Sequence, residues 1–391
     1  MSASSGHAEP AAPAASTPPA PAPSAAPAAP AAPAEHTAPA APAEPVDYER
    51  LFSIEPFSLD AGAKSLLMAE ALRGLGRHHR RLCAPYDRLC AVLGDNPALP
   101  VRLFKDYDLR SVEADDVAKT MTSSGTTGQK TSRIYLDKSS SARQSKALSR
   151  IVSDFIGKRR LPLLIIDSKA VLKNRAMFSA RGAGILGFSM LGRDVVYALD
   201  ENMELDYEAV DAFVEAHRGQ DVLLFGFTFM IWQHLCLALT RTGRKLDLQG
   251  CMIHGGGWKK LTELAVSNDH FKDRVAALTG IQRVHNYYGM VEQAGSIYME
   301  CEQGHLHASV FSDIDVVDPL TLEPGHAKSG CLRTVSVLPT SYPGHRLLTE
   351  DVGEILGEDD CPCGRLGTYF RVHGRLKGAE IRGCSDTYAA T

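Results

Sequence analysis

Apolar side chains follow a helical spacing in two stretches of the first half of the chain. Between about residues 60 and 93, leucine and alanine recur at intervals of about 3.6 residues, which predicts helix. The stretch from Ser140 to Ile156 is amphipathic in the same way and is also predicted to be helical. The first prediction rests on Leu66, Leu67, Ala71, Leu75 and Leu82.

Short apolar runs in the middle of the chain alternate with helical stretches at 206–217 and 228–241. Each run ends near Gly, Asp or Ser, as is typical of a strand followed by a turn. The alternation predicts an α/β fold, in which helices cover a mostly parallel sheet and ligands bind at the carboxyl ends of its strands. The predicted strands are Leu163–Asp167, Asp194–Ala198, Val222–Phe225, Cys251–His254 and Gln282–Tyr288.

From about residue 305 the pattern changes to shorter β segments separated by turns. This change predicts a small β-rich subdomain at 305–376 after an α/β core at 47–304, with a mobile tail at 377–391. The predicted segments are Ser312–Val317, Cys331–Leu338, Glu354–Leu356 and Tyr369–His373.

The first 46 residues differ in composition from the rest. They hold twelve of the 22 prolines, mostly in Ala-Pro repeats, and almost no large apolar side chain. Such a segment cannot offset its ordering entropy by burial, so 1–46 is predicted to be a disordered spacer with polyproline II character.

Composition excludes several classes of protein. With 391 residues and 44% hydrophobic side chains the chain is of ordinary globular composition, and its net charge of −4 argues against a nucleic-acid surface. No apolar run approaches the ~20 residues of a membrane span, and the first residues do not resemble a secretory signal. The nine scattered cysteines do not form a disulfide framework, so a cytoplasmic protein is expected.

Residues 121–130, Met-Thr-Ser-Ser-Gly-Thr-Thr-Gly-Gln-Lys, are predicted to wrap a nucleotide triphosphate. These residues lie before the predicted strand Ile134–Leu136. Their pattern differs from the P-loop motif G-x-x-x-x-G-K-[ST], because only two residues separate the glycines and Gln129 stands between the second glycine and the lysine. A flexible surface linker is the alternative. Hydroxyl donors come from Ser123, Ser124, Thr126 and Thr127, close backbone approach from Gly125 and Gly128, and positive charge from Lys130.

Three further clusters follow predicted strands. His254-Gly-Gly-Gly-Trp258 would let the backbone lie against a planar base, with a plain tight turn as the alternative. Asn286-Tyr-Tyr-Gly-Met-Val-Glu292 brings aromatic rings and a carboxylate, which is either an Mg²⁺ ligand or a solvated surface group. The segments Arg346–Asp351 and Gly374–Gly383 complete the order.

The loop, the glycine turn, Tyr-Gly-x-x-Glu, Thr-x-Asp and Gly-Arg-x-Lys have the order and rough spacing of the acyl-adenylating superfamily, which the chain resembles from about residue 95 to 391. Within it, His254-Gly-Gly-Gly-Trp-Lys-Lys, the ending Gly374–Cys384 and the short length resemble the LuxE-type acyl-protein synthetases. Phenylacetate–CoA ligase-like enzymes are the nearest cousins and share Cys361-Pro-Cys-Gly-Arg. The resemblance implies the large N-terminal domain of the adenylating fold, with ATP and Mg²⁺ as cofactors.

The resemblance also assigns roles to individual residues. Ser123 to Lys130 would bind the β- and γ-phosphates, and Glu292 would hold Mg²⁺. Asp351 would accept hydrogen bonds from the ribose hydroxyls, and Arg375 would touch ribose or phosphate. The adenine ring would be held by Gly255, Gly256 and Gly257 together with Tyr287, Tyr288 and Gly289.

The family holds its acyl group as a thioester on a cysteine near the C-terminus, and Cys384 matches that position. Lys377 and Arg382 would favour its thiolate, the nucleophilic form of a thiol. The nine residues from Arg375 to Cys384 span at most roughly 30 Å, so the tail can carry the thiol to a bound acyl-adenylate. A tail cysteine without a role is the alternative.

The sequence departs from the superfamily at several points. Glu350 stands where most members have Gly, and Leu348 where many have Arg. The usual C-terminal domain and its adenylation lysine are absent from the sequence, which puts CoA ligation in doubt and favours self-acylation.

Four residues are predicted to form a structural zinc site. Cys301, His307, Cys361 and Cys363 would supply a closed tetrahedral Cys₃His set, similar to that of some phenylacetate–CoA ligase-like proteins. The alternative is that Cys301 packs in the core and Cys361-Pro-Cys forms a turn.

The resemblance implies ATP-dependent activation of a carboxylic acid, a fatty acid in keeping with the family, and acyl transfer to Cys384 for delivery to a partner such as an acyl reductase. An acyl- or aryl-CoA ligase and a non-catalytic acyl-adenylate carrier are the alternatives. The acyl pocket is predicted around Gly226, Phe227, Phe229, Met230 and Trp232, a stretch that reads equally as a buried helix start.

Overall fold

The computed structural model describes residues 45–123, 130–172, 178–258, 263–318, 321 and 329–376. The predicted spacer up to residue 44, the loop residues 124–129 and the tail 377–391 lie outside this set. The domain boundaries predicted at residues 46, 304 and 376 stay predictions.

Ten α-helices occur among the described residues. Two short 3₁₀ turns, at Ala114–Asp116 and Lys169–Leu172, lie beside strands of the fold. Side chains of Asp60, Asp137 and Ser267 accept hydrogen bonds from backbone N–H groups at the starts of three helices, which is why those helices begin there. The helices are α1 Tyr48–Ser53, α2 Ala61–Leu82, α3 Ala84–Leu93, α4 Leu103–Asp106, α5 Lys138–Ile156, α6 Ala180–Ser189, α7 Tyr207–Ala216, α8 Thr228–Met230, α9 Leu237–Thr242 and α10 Asn268–Thr279.

Fifteen strands are described, and the runs that the sequence predicts all lie within or overlap them. They are β1 Leu99–Pro100, β2 Lys119–Thr122, β3 Arg133–Leu136, β4 Leu161–Ser168, β5 Phe178–Ser179, β6 Gly192–Leu199, β7 Asp221–Phe227, β8 Gln249–Gly255, β9 Arg283–Tyr288, β10 Tyr298–Glu300, β11 Leu306–His307, β12 Ser312–Val317, β13 Ser329–Ser336, β14 Arg346–Glu358 and β15 Thr368–Arg375.

Twelve of the strands form one large mixed sheet. One half is parallel, in the order β6-β4-β7-β8-β9, and the other half continues antiparallel from β9 through β10, β11, β15, β14 and β13 to β12. The short β1 pairs in parallel with β14. The α/β fold class is confirmed, and the strands after residue 305 extend the same sheet that the parallel strands begin.

A smaller sheet of three strands, in the order β3-β2-β5, carries the glycine-rich loop. Strands β2 and β3 pair antiparallel, so the predicted strand–loop–strand arrangement of this motif is confirmed. The chain leaves β2 at Thr122 and returns at Arg133.

The core explains why the central runs are apolar throughout. Every residue of β4 is buried, as expected of a parallel strand with helices on both faces. Helix α2 is confirmed, but Leu66 and Leu82 are exposed, at 76% and 47%. Ala71 and Leu75 from the predicted set are buried, and Met68 and Leu72 complete the buried face.

No helix among the described residues is long and apolar enough to cross a membrane. The carboxyl ends of β7, β8 and β9 lie side by side at one edge of the parallel half, where an α/β sheet binds its ligands.

Candidate active site

A cavity of about 550 Å³ lies at this edge. Its walls come from the ends of β8 and β9, the turn after β9, and the strands β14 and β15. Among its lining residues are nine that the sequence predicts for the nucleotide site: Ser123, Gly256, Gly257, Tyr287, Tyr288, Gly289, Glu292, Asp351 and Arg375.

A half-buried carboxylate and a tyrosine meet at one end of the cavity. The Tyr288 hydroxyl donates to Asp351 Oδ2 at 2.7 Å, and Arg375 Nε lies 3.5 Å from Asp351 Oδ1. Burial raises the pKa of the Asp351 carboxyl, while Tyr288 and Arg375 act in the opposite direction. Burial, together with the Asp351 charge, also raises the pKa of Tyr288, so its hydroxyl stays a donor. This pair can accept hydrogen bonds from vicinal hydroxyl groups.

Glu350, which replaces the usual glycine, bridges two arginines beside this pair. Arg102 approaches Glu350 Oε1 at 2.7 Å, and Arg375 Nη2 approaches Oε2 at 2.9 Å. The Glu350 side chain is 9% exposed, so the carboxylate that both arginines share is shielded from water. Glu350 therefore fixes the guanidinium of Arg375 at the mouth of the cavity, and nothing in the sequence pattern pointed to this role.

Glycines at the ends of β8 and β9 permit close backbone approach. A Cβ at Gly255 would lie 2.6 Å from the Tyr287 ring, so Gly255 packs behind the cavity wall while Gly256 and Gly257 line it. Gly256 has φ +76°, a conformation that favours glycine. A Cβ at Gly289 would lie 2.5 Å from the Ser296 carbonyl oxygen.

Glu292 lies in the turn after β9 and is 8% exposed. Glu292 lines the same cavity as Asp351, and a carboxylate is the kind of donor that Mg²⁺ prefers. The chemistry of Glu292 therefore fits a magnesium ligand, and its role as one stays a prediction.

The glycine-rich loop is described at its two ends. Ser123 lines the cavity, and its hydroxyl accepts a hydrogen bond from the Ser132 N–H at 2.9 Å, which closes the base of the loop. Lys130 is exposed, and its Nζ lies 3.5 Å from Asp106 Oδ1. Ser124, Gly125, Thr126, Thr127 and Gly128 lie outside the described residues, as does Cys384, so the roles predicted for them and for Lys130 stay predictions.

The stretch predicted for the acyl pocket is the start of a buried helix. Phe227, Met230 and Trp232 are at most 8% exposed, and a Cβ at Gly226 would lie 2.9 Å from the Ile231 side chain. From this stretch Thr228 lines the cavity. A π-helical turn at Ile231–Cys236 joins α8 to α9 behind it.

Several lining residues were not singled out from the sequence. His254, Thr228, Trp258 and Phe271 lie together where β7 and β8 end. The sequence motif that contains His254 was singled out for its glycines. The position of His254 directly before them, at a strand end, was the feature that could have indicated its place in the cavity wall.

The four predicted zinc ligands come together away from the cavity mouth. Their ligand atoms all lie within 4.8 Å of one another. Cys301 Sγ is 3.9 Å from Cys361 Sγ, and Cys363 Sγ is 3.4 Å from His307 Nε2. A tetrahedral zinc site has ligand separations of about 3.5–3.8 Å, which follow from its bond lengths. The group is therefore a candidate zinc site, and bound zinc stays a prediction.

Burial favours the neutral forms of the thiols and the imidazole in this group. Burial raises the pKa of the Cys301 thiol to about 12 and lowers that of His307 to about 4. Burial likewise raises the pKa of Cys361. A divalent cation would offset the burial of the thiolates, because thiols bind metal in their deprotonated form.

The sequence matches the family model described as "Acyl-protein synthetase, LuxE" over residues 42–391. The chain belongs to the LuxE acyl-protein synthetase family. It is therefore a ligase. This confirms the resemblance that the motifs indicated.

Two curated relatives are similar to this LuxE family member over most of its length. The "Long-chain-fatty-acid--luciferin-component ligase" of Vibrio harveyi is 24% identical over 341 residues, which cover 82% of this chain and 86% of the relative. The protein of the same name from Aliivibrio fischeri is 24% identical over 309 residues, covering 75% of this chain and 78% of the relative.

Solved structures share the fold. An open conformation of 2-hydroxyisobutyryl-CoA ligase, in complex with 2-HIB-AMP and CoA, superimposes with a TM-score of 0.61 at 16% identity. The match covers 81% of this LuxE family member and 76% of that ligase. The same ligase in its postadenylation state gives a TM-score of 0.62, with 82% and 69% covered. The adenylating fold is thereby confirmed.

Proposed function

We propose that this protein uses ATP to activate a long-chain fatty acid as an acyl-adenylate and then transfers the acyl group to its own Cys384. The observation that carries the proposal is the meeting of Tyr288, Asp351 and Arg375 at one end of a cavity at the carboxyl edge of the sheet. Membership of the LuxE family and the names of the two curated relatives support the same activity.

In the first half-reaction, a carboxylate oxygen of the acid attacks the α-phosphorus of ATP and pyrophosphate leaves. The two reactants are both anionic, so catalysis rests on positioning them and on neutralising charge at the phosphates. Asp351 accepts hydrogen bonds from the ribose hydroxyls, and Arg375 lies beside the α-phosphate. Lys130 and the loop at 123–128 hold the β- and γ-phosphates. Glu292 would hold Mg²⁺, which would supply positive charge to the phosphates.

In the second half-reaction, the Cys384 thiolate attacks the acyl carbon. The carbon–sulfur bond forms, the bond between the acyl carbon and the phosphate oxygen breaks, and AMP leaves with the electron pair. Lys377 and Arg382 increase the fraction of thiolate by their positive charge. The thioester is then delivered to an acyl acceptor such as an acyl reductase.

A structural zinc ion completes the proposal. Cys301, His307, Cys361 and Cys363 hold it between the β10–β11 hairpin and the turn that precedes β15. All four ligands come from the protein, which is typical of a structural site that keeps no position open for substrate.

Exchange of labelled pyrophosphate into ATP tests the first half-reaction. We expect exchange that requires a fatty acid and Mg²⁺, and a loss of at least about tenfold in Glu292→Gln. Glu208→Gln is the matched control, because Glu208 is exposed on α7. A protein that only carries an acyl-adenylate would give no exchange with any acid.

Addition of CoA separates the proposal from CoA ligation. An acyl-protein synthetase leaves label on the protein and forms no acyl-CoA, whereas a CoA ligase releases acyl-CoA and retains no label. Rapid acyl-CoA formation at saturating CoA would contradict the second half-reaction.

A further inference from the structure

Arg102 lies beside the cavity and was not predicted for the site. It directly follows Val101, which lines the cavity. The Arg102 side chain is 62% exposed, whereas that of its partner Glu350 is 9% exposed. An ion pair between two exposed groups contributes little, but a carboxylate removed from water is costly unless it is paired. The pairing of Glu350 therefore matters more than the exposure of Arg102 suggests.

The pairing of two strands places Arg102 next to Glu350. Strand β1 runs parallel to β14, with Pro100 opposite Leu348. The Val101 N–H donates to the carbonyl oxygen of Leu348 at 3.1 Å, which continues the pairing by one residue. Arg102 then lies two residues beyond Pro100, just as Glu350 lies two residues beyond Leu348. Backbone hydrogen bonds therefore fix the point from which the Arg102 side chain extends.

The Glu350 carboxylate is divided between two arginines. Arg102 approaches Oε1 through both Nε and Nη2, at 3.2 and 2.7 Å. Arg375 approaches Oε2 through Nη2 at 2.9 Å, and its Nε lies 3.5 Å from Asp351 Oδ1. Glu350, Asp351 and Arg375 all line the cavity. Because a guanidinium and a carboxylate pair best through two parallel hydrogen bonds, Arg102 occupies the oxygen that would give Glu350 its second bond to Arg375.

The nucleotide needs the same guanidinium. Under the proposed function Arg375 binds the ribose or a phosphate of ATP, and a carboxylate that held Arg375 through both oxygens would compete with that ligand. We propose that Arg102 is a positioning residue, which pairs with Glu350 and so weakens the hold of Glu350 on Arg375 in favour of the nucleotide. This inference rests on the nucleotide-binding part of the proposed function, because that part places ATP in the cavity.

The backbone of Arg375 is held independently of this choice. The Glu350 carbonyl oxygen accepts a hydrogen bond from the Leu376 N–H at 2.9 Å, and Asp351 lies opposite Arg375 in the sheet. What Arg102 controls is therefore the partner of the guanidinium and not the position of the strand. A glycine in place of Glu350, as in most of the superfamily, offers no competing carboxylate and needs no such arginine.

Binding of ATP tests this role directly. Isothermal titration with ATP and Mg²⁺ gives the Kd, and acid-dependent pyrophosphate exchange gives kcat and the KM for ATP. We expect Arg102→Gln to raise both the Kd and the KM about fivefold, because a stronger ion pair between Glu350 and Arg375 must then be broken in a partly solvated site. The kcat should stay within about twofold, since the lost binding affects ground state and transition state alike.

Two further variants separate this role from a general loss of charge or fold. Arg102→Lys should keep most of the affinity, because one ammonium group can pair with Oε1 of Glu350. Arg244→Gln is the matched control: Arg244 pairs with Asp211 at the surface, and neither is among the described residues that line the cavity. Its Kd for ATP should stay within about twofold of the parent value. A lower melting temperature of Arg102→Gln with an equal loss of kcat would assign Arg102 to the fold and overturn the proposal.

A double variant shows whether Arg102 acts through Glu350. In Glu350→Gln the competing carboxylate is gone, so the addition of Arg102→Gln should change the Kd for ATP by less than about twofold. The same loss of affinity in both backgrounds would show that Arg102 acts on the nucleotide directly, and the proposal would be wrong. Parent affinity in the single variant Arg102→Gln would also overturn it.

The titration needs no acid, so the two proposals fail separately. If the parent protein binds ATP with these effects of the variants but exchanges pyrophosphate with no acid, acid activation is wrong and the role of Arg102 stands. If the parent protein binds no ATP, both proposals are wrong.

Discussion

A lysine on the surface illustrates how a residue can serve either the fold or the chemistry. Lys130 follows the glycine-rich loop, is exposed, and lies 3.5 Å from Asp106 at Nζ. An exposed ion pair of this kind contributes on the order of 1 kcal/mol or less to stability. Under the proposed function, Lys130 would exchange Asp106 for a phosphate when ATP binds.

Two substitutions separate these roles. We expect Lys130→Ala to lower pyrophosphate exchange by about tenfold or more, because a charge-assisted contact to phosphate is lost. Asp106→Asn removes the same ion pair but keeps the lysine, and exchange should stay within about twofold of the parent protein. Equal losses in both variants would show that Lys130 acts through Asp106 and not on the nucleotide.

A stack of buried histidines joins helices α2 and α3 to strand β14. The rings of His79 and His345 lie 4.9 Å apart at an angle of 23°, and Tyr86 of α3 packs on both. Burial, together with the positive charge of Arg346 and the neighbouring His78, lowers the pKa of His345 to about 3. Burial also lowers the pKa of His79, with His345 and His78 contributing. Both rings are therefore neutral in the folded protein.

This stack makes stability depend on pH. The unfolded histidines bind protons below their usual pKa of 6.5, whereas the folded ones stay neutral down to much lower pH. Their contribution is complete above pH 6.5 and is lost as the pH falls toward 3. Each ring should cost on the order of 2 kcal/mol of unfolding free energy at pH 5 relative to pH 7.5. Urea unfolding at several pH values measures this loss.

A matched variant assigns the effect to the stack. His345→Phe cannot bind a proton in either state, so its unfolding free energy should fall less steeply between pH 7.5 and pH 5 than that of the parent protein. An unchanged pH dependence in His345→Phe would place the titrating groups elsewhere.

The Cys₃His group ties the β10–β11 hairpin to β15. We expect purified protein to contain about one zinc ion per chain, and a structural zinc contributes ~10 kcal/mol or more to a small module. Cys363→Ser should therefore lower zinc content and the yield of soluble protein. Cys331→Ser is the control, because Cys331 is buried in β13 outside the group. Well-folded protein without zinc would contradict the site.

The elements were predictable where burial dictates their composition. Strand β4 is buried along its whole length and therefore appears in the sequence as an uninterrupted apolar run. Strand β14 was predicted only at 354–356, because its first half carries the charged Glu350 and Asp351, which line the cavity and form ion pairs with Arg375. Glu350 was noticed as a departure from the family, but its two arginine partners are distant in sequence and no local pattern connects them.

At the scale of the whole molecule, the large sheet brings together motifs that lie far apart in the sequence. Glycine turns and tyrosines at the ends of β8 and β9 meet Asp351 and Arg375 of β14 and β15 because the antiparallel strands continue the parallel ones. Many lining residues of the cavity could be predicted, because their motifs occur along the chain in the order of the superfamily. The contacts of His254 with Thr228 and Phe271 could not be predicted, because these residues meet only through the packing of the fold.

Removal of residues 2–43 tests the spacer interpretation. Those residues lie outside the part of the chain that the structure describes, whereas Pro45 packs against Gly74 of α2. We expect the shortened protein to keep acid-dependent pyrophosphate exchange within about twofold, since the proline- and alanine-rich segment offers no core and no reactive group. A large loss of rate would show that the segment takes part in the reaction.

The central claim is that one chain performs both half-reactions and ends as a thioester on Cys384. Its most direct test incubates the parent protein and Cys384→Ser with ATP, Mg²⁺ and a labelled fatty acid, followed by gel autoradiography with and without hydroxylamine. We expect both proteins to form acyl-adenylate, but only the parent to carry label that hydroxylamine removes, because a serine hydroxyl is far less ionised than a thiol at neutral pH. Hydroxylamine-labile label on Cys384→Ser would contradict the claim and would point to Cys361 or Cys363, at the expense of the zinc site.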